Sequence, residues 1–302
     1  MEIDFALELA GVGRFRVNTF MAQGQYEAVI RVVSPMAKTL EELALPEALE
    51  SLALLRDGLI LVAGPTGSGK SSTLAAMIDI INSSLSKRII TIENPVEIIH
   101  ANKKSLITQR EIGIDTYSFS GALRATLRQD PDVIMVGEIR DKETADAAIQ
   151  AAQTGHLILS TIHAGNTEEA LSRLAGLFPL GDRDNINETL STIIRGVVVQ
   201  KLIMDVDLRP IPAVEIMTHR ARMQDFISGK TRSAGMQTII EESAIHGMQT
   251  MDTHIVNLVM KKRITYEVAV QSANHVQWVT TKLKELGIKK PVAQSYPIHP
   301  RL

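Results

Sequence analysis

No stretch of this chain restricts its fold more than Gly64-Pro65-Thr66-Gly67-Ser68-Gly69-Lys70-Ser71, which satisfies the pattern G-x-x-x-x-G-K-[ST]. Its flanks supply the context the pattern needs. Leu59 to Ala63 is a short apolar run, as a buried strand would be, and Ser72 to Ile81 carries Leu74, Ile78 and Ile81 at helical spacing. A strand that turns through glycines into a helix aims several backbone N–H groups at one place, where the positive end of the helix dipole adds to them. The result is a cradle for phosphate. Gly64, Gly67 and Gly69 permit the turn, and Thr66, Ser68 and Ser72 complete the expected phosphate-binding set. Lys70 brings a full charge to the β- and γ-phosphates, and the Ser71 hydroxyl is the expected Mg²⁺ ligand.

The 302 residues leave room for two domains. The absence of cysteine excludes disulfides and thiolate metal sites, and a net charge of −2 gives no reason to expect nucleic acid. No apolar run approaches the roughly 18 residues of a membrane span, and Met1-Glu2-Ile3-Asp4 lacks a signal-peptide pattern. These features predict a cytoplasmic protein without direct membrane insertion, which meets a membrane only through a partner.

Along the chain, Gly13 to Phe20 alternates apolar and polar residues and Tyr26 to Val33 is a second β-rich run. Two strands are marginal alone, so residues 1–40 must pack on something else or belong to a larger domain. Ser34-Pro35 reads as a break, and Leu40 to Leu55 as helix interrupted at Pro46. Arg88 to Ile92, Asp132 to Glu138 and His156 to His163 read as strands. They alternate with helices at Phe119 to Arg128, capped by Ser118 or Ser120, and at Asp141 to Thr154. This alternation predicts a parallel α/β sheet. From about residue 222 the text is helical, with Met223, Phe226 and Ile227 on one face and Met248, Met251, Ile255, Leu258 and Val259 on another; the tail from Pro291 reads as loose.

A parallel sheet gathers ligands at the carboxyl ends of its strands. The glycine loop follows one strand, Glu93 and Glu97 follow the next, Glu138 ends the third and His163 the fourth. Glu138, after the apolar Val133 to Val136, can hold Mg²⁺ through water or polarise an attacking water; a merely solvated strand-end acid is the alternative. His163 either contacts the γ-phosphate or is structural. Phosphoryl transfer also needs positive charge on the γ-phosphate, for which Arg14, Arg16 and Arg31 are candidates against the alternative of surface arginines.

These stretches together resemble the secretion and type IV pilus ATPases, most closely the PilT-type twitching-motility (pilus retraction) ATPases. Gly64 to Ser71 is the Walker A sequence as that family writes it, and Thr91-Ile92-Glu93-Asn94-Pro95-Val96-Glu97 resembles its aspartate box, with Asn94 in place of the usual aspartate. Arg128 to Asp132 running into Val136-Gly137-Glu138-Ile139-Arg140-Asp141 resembles its Walker B box, and Thr154 to Ala164 its histidine box. The resemblance implies a RecA-like P-loop ATPase core over residues 41–220. It implies a partial PAS-like domain over residues 1–40, about half the family's usual length, and a helical C-terminal region over residues 221–302. It implies a homohexamer using ATP and Mg²⁺, with Glu138 as catalytic glutamate and Glu93 as a second acid. His163 would lie near the γ-phosphate, and Arg16 and Arg31 would close on the phosphates. The implied partner is an inner-membrane pilus or secretion platform protein. Within the family, the missing cysteines and the loose likeness of Ala221 to Ile227 to the retraction motif favour the retraction type.

Two other functions compete. Asn94 and the short N-terminal segment motivate an assembly factor that binds ATP but barely turns over. RecA-like folds also include nucleic-acid translocases, against which the near-neutral charge and the lack of a basic-aromatic stripe count.

Overall fold

The structure is a computed structural model, described over residues 2–33, 36–231 and 235–290. The expected break at Ser34-Pro35 and the tail from Pro291 lie outside the described residues.

Three antiparallel strands, β1 (Glu2–Leu9), β2 (Gly13–Ala22) and β3 (Gln25–Val33), form one sheet in chain order. The first adds to the two predicted strands. Gln23 and Gly24, both at positive φ (51° and 78°), join β2 to β3 in a turn whose twist matches that of the strands. The register sets Arg16 opposite Arg31, Phe15 opposite Val32 and Val17 opposite Ile30. Arg14, Arg16 and Arg31 therefore share one face, with Glu2, Glu8 and Glu27, and Phe15, Val17, Ile30 and Val32 share the other. The arginine-bearing face meets the rest of the protein: Arg14 donates to the Val96 carbonyl from Nε and Nη2 at 3.2 and 3.0 Å, and Arg16 pairs with Glu97 at 3.3 Å.

Among the described residues the main sheet has seven strands. Its centre is the predicted parallel set β4 (Gly58–Ala63), β5 (Arg88–Glu93), β7 (Val133–Val136) and β8 (Leu157–Ile162). Three further strands, β6 (Leu106–Glu111), β9 (Ile194–Met204) and β10 (Pro210–Thr218), complete the order β10-β9-β4-β8-β7-β5-β6. Only β10 runs antiparallel to its neighbour, a common way to finish a parallel sheet.

Both faces of this sheet are covered. Along β4, Ile60 and Val62 pack with Leu74, Met77, Ile78 and Ile81 of α2 (Lys70–Ser84) and with α1 (Ala48–Ala53). Leu59 and Leu61 face the opposite core, shared with α3 (Phe119–Thr126), α4 (Lys142–Gln153), α5 (Thr167–Gly176) and α6 (Arg183–Ile193). Every β4 residue is buried, so the strand that delivers the glycine loop is fixed from both sides; truncating one such side chain to alanine costs about 2–5 kcal/mol. Ser118 caps α3, accepting from the Gly121 amide at 3.1 Å. The expected helix from Leu40 to Leu55 shrinks to α1, because residues 40–44 form turns and Ala44 takes the left-handed φ of 55°.

The C-terminal region is helical: α7 (Ala221–Ile227), α8 (Met236–Glu242), α9 (Met251–Met260), α10 (Tyr266–Ser272) and α11 (Val276–Glu285). Met223, Ile227, Met251, Ile255, Leu258 and Val259 are buried as their spacing predicts, whereas Met248 is buried ahead of α9 rather than on it. α9 docks on β10 through His254, whose Nδ1 accepts the Val214 amide at 3.0 Å.

Candidate active site

The parallel strands deliver their following loops to one edge of the sheet. There a cleft of about 400 Å³ opens, lined on one side by Thr66, Gly67, Gly69, Lys70, Ser71 and Ser72, and on the other by Glu93, Glu138 and His163. Arg16 and Arg31 close it from the N-terminal sheet. Their direct opposition places like charges side by side, an unfavourable pairing that an anion between them and the glycine loop would relieve. Arg14 lies elsewhere, bound to Val96 and 3.7 Å from buried Glu111, where it ties the N-terminal sheet to the loop after β5. Gly64 and Ser68 are buried beneath the loop, and the Ser68 hydroxyl has no hydrogen-bond partner among the described residues.

The loop has the local geometry of an anion cradle. Gly67 and Gly69 take φ of 79° and 88°, and a Cβ on Gly67 would meet only open space, so glycine is required there by conformation. Lys70 folds over the loop and donates to the carbonyls of Gly64 and Pro65, both at 2.9 Å. Burial lowers its pKa, and the Glu138 carboxylate across the cleft opposes that shift.

The two acids have different surroundings. Glu93 accepts from the Thr91 hydroxyl at 2.7 Å and from Gln109 at 3.1 Å. Burial raises its pKa; those hydrogen bonds hold the rise back. Glu138 pairs with Arg140 at 2.5 Å. His163 has a lowered pKa, first through burial and then through the Lys70 charge, with Glu138 opposing. Its imidazole is therefore held toward the neutral form, able to donate a hydrogen bond to a phosphate oxygen without a full charge.

Among the described residues, no group of three or more His, Asp or Glu side chains is arranged to hold a metal ion alone. The exposed Ser71 hydroxyl and the Glu138 carboxylate suit an ion that keeps several waters and takes phosphate oxygens, as Mg²⁺ does. Sequence reasoning missed Thr91 and Gln109, which hold Glu93, and also His100 and Phe119, which line the cleft. Gln109 sits on the unpredicted β6, so only the folded sheet reveals it.

The sequence model of the type II/IV secretion system protein family matches residues 3–294. The chain belongs to that family. It is 40% identical over 273 residues to the "Type IV pilus retractation ATPase PilT" of Pseudomonas aeruginosa, covering 90% of this chain and 79% of that protein. It is 41% identical over 274 residues to the "Type IV pilus ATPase PilU" of the same organism, covering 90% and 72%. The crystal structure of the pilus retraction motor PilT with bound ADP superposes with a TM-score of 0.83 at 38% identity, covering 92% of this chain and 79% of that one. Family and fold thus agree with the resemblance read from the four boxes. Among the described residues, no helix is long and apolar enough to cross a membrane.

Proposed function

We propose that the protein is an ATP-hydrolysing motor that powers type IV pilus retraction or a closely related secretion machine. The observation that carries this reading is the convergence of Lys70, Glu138 and His163, each from a different strand end, on one cleft closed by Arg16 and Arg31. The related proteins named as pilus ATPases, and the ADP-bound retraction motor of the same fold, support it. Residues 1–40, 41–220 and 221–302 are the proposed N-terminal, ATPase and C-terminal units. The working form is a homohexamer in the cytoplasm, held at the inner membrane by a platform protein.

In the proposed reaction the glycine loop and Lys70 hold the β- and γ-phosphates. Glu138 orients and polarises the attacking water, and Arg16 and Arg31 meet the charge that builds on the transferring phosphoryl group. His163 reports the γ-phosphate to α5, which starts four residues later. Glu93, the second acid of the cleft, would lie beside the metal and phosphates. Ser71 directly, and Glu138 through water, would hold Mg²⁺, which would supply charge neutralisation of the phosphates. Release of phosphate then frees the N-terminal sheet to move against the core.

Asn94 faces the cleft where an aspartate would add charge, and this favours a second reading as an ATP-binding assembly factor. Steady-state ATP hydrolysis on size-fractionated protein separates the two. The motor reading expects turnover in the assembled fraction; ATP binding there without turnover above the protein-free blank supports the assembly factor.

A further inference from the structure

The glycine loop rests on a residue that belongs to none of its sequence boxes. β9 runs parallel to β4 as far as Ala63 and Val199, and the next residue, Gln200, passes directly beneath the loop. Its side chain is 1% exposed, and both ends of its amide are hydrogen-bonded there. Nε2 donates to the Ser68 carbonyl at 2.5 Å, and Oε1 accepts from the Thr73 hydroxyl at 2.8 Å. Thr73 lies on the first turn of α2 and is equally buried. One amide therefore spans the loop from its crest to the helix that follows.

We propose that Gln200 is a positioning residue that sets the direction of the Ser68–Gly69 peptide and so completes the phosphate cradle. The peptide unit is planar and trans, so its C=O and N–H point in opposite directions. With the Ser68 oxygen fixed toward β9, the Gly69 N–H points away from β9, to the side where Gly67, Gly69 and Lys70 line the cleft. Without that restraint, Gly69, at φ 88° and lacking a Cβ, allows the peptide to flip and present an oxygen to the phosphates. The close approach also explains two of the loop's glycines. A Cβ on Gly64 would collide with the Gln200 carbonyl oxygen, and one on Gly69 would lie 3.2 Å from Gln200 Nε2. The support beneath is rigid, because Gln200 pairs with Val214 of β10 and the neighbouring Lys201 donates to the Ser272 carbonyl at 2.5 Å and to Asn274 at 2.9 Å.

The inference rests on the reading of the cleft as a nucleotide site, and its test separates the two. Fluorescent-ADP titration, thermal melting and ATP kinetics are run on the wild-type chain, Gln200→Glu, Gln200→Met and Thr73→Val. Gln200→Glu keeps an acceptor for Thr73 but sets a carboxylate oxygen against the Ser68 carbonyl. It is expected to weaken nucleotide binding at least about tenfold, through lost charge-oriented N–H donors, and to raise KM more than it lowers kcat. Gln200→Met is expected to follow it, and Thr73→Val, which leaves the Ser68 latch in place, to lose less. Wild-type affinity in both Gln200 variants overturns the inference and leaves the nucleotide reading intact. Losses that track the melting temperature, or an equal loss in Thr73→Val, also overturn it. A wild-type chain that binds no nucleotide overturns both.

Discussion

Arg140 Nε lies 2.5 Å from Oε2 of Glu138, an ion pair between residues two apart in the loop that leaves β7. The arginine side chain is 70% exposed and the glutamate 20%, so the pair contributes at most about 1 kcal/mol to stability. Its effect is on orientation: with Oε2 occupied, Oε1 is the oxygen left to accept a proton from water. Arg140→Ala is expected to lower kcat about tenfold by loosening that geometry, with KM and melting temperature little changed. Steady-state kinetics with a thermal melt checks this, and an unchanged kcat would show that the pair is only a surface contact.

Glu93 titrates against its surroundings. Burial pushes its carboxyl up, and the Thr91 hydroxyl is the first of the groups that oppose the rise. Thr91 is fully buried, and valine replaces it with nearly the same shape. Thr91→Val therefore raises the Glu93 pKa further, and the enzyme loses its Glu93 carboxylate at a higher pH. The acid limb of the kcat/KM profile is expected to move to higher pH. A profile that stays in place would show that Glu93 does not titrate in the reaction.

A second titration bears on stability alone. His254 Nδ1 accepts the Val214 amide, which requires the neutral ring with its proton on Nε2; a protonated ring would set two donors face to face. Burial pushes its pKa down to about 4. The folded pKa lies below the unfolded one, so the unfolded chain binds the extra proton between them and stability falls as pH falls. The contribution is intact above pH 6.5 and is lost toward pH 4, amounting to about 3 kcal/mol over the interval. Urea unfolding from pH 7 to pH 4 checks this, with His254→Gln expected to flatten the dependence.

The sequence revealed most where a local rule and a global rule coincided. The glycine loop, its strand and its helix follow from eight residues and their flanks, and the strand-end rule placed Glu93, Glu138 and His163 at one edge. β9 and β10 were not legible, because the apolar Val197 to Val199 runs straight into the polar Gln200 and Lys201, which breaks the pattern of a buried strand. β6 carries only Leu106 and Ile107 as apolar residues, at the sheet edge, where burial does not enforce a pattern. β1 alternates clearly at Ile3, Phe5, Leu7 and Leu9, yet it forms a strand only because β2 pairs with it. The contacts that hold the site, Gln109 to Glu93 and Gln200 to Ser68, join residues 16 and 132 positions apart. Such pairs are set by strand order, which periodicity does not encode.

The most direct test of the cleft as an ATP-hydrolysing site compares nucleotide binding and ATP hydrolysis in the wild-type chain, Glu138→Gln and Lys70→Ala. Glu138→Gln is expected to bind nucleotide normally and to lose hydrolysis by about 10²–10⁴-fold, as loss of a positioned base should. Lys70→Ala is expected to lose binding itself, because the charge over the β- and γ-phosphates is gone. Hydrolysis at the wild-type rate in Glu138→Gln, or wild-type affinity in Lys70→Ala, would contradict that reading of the cleft.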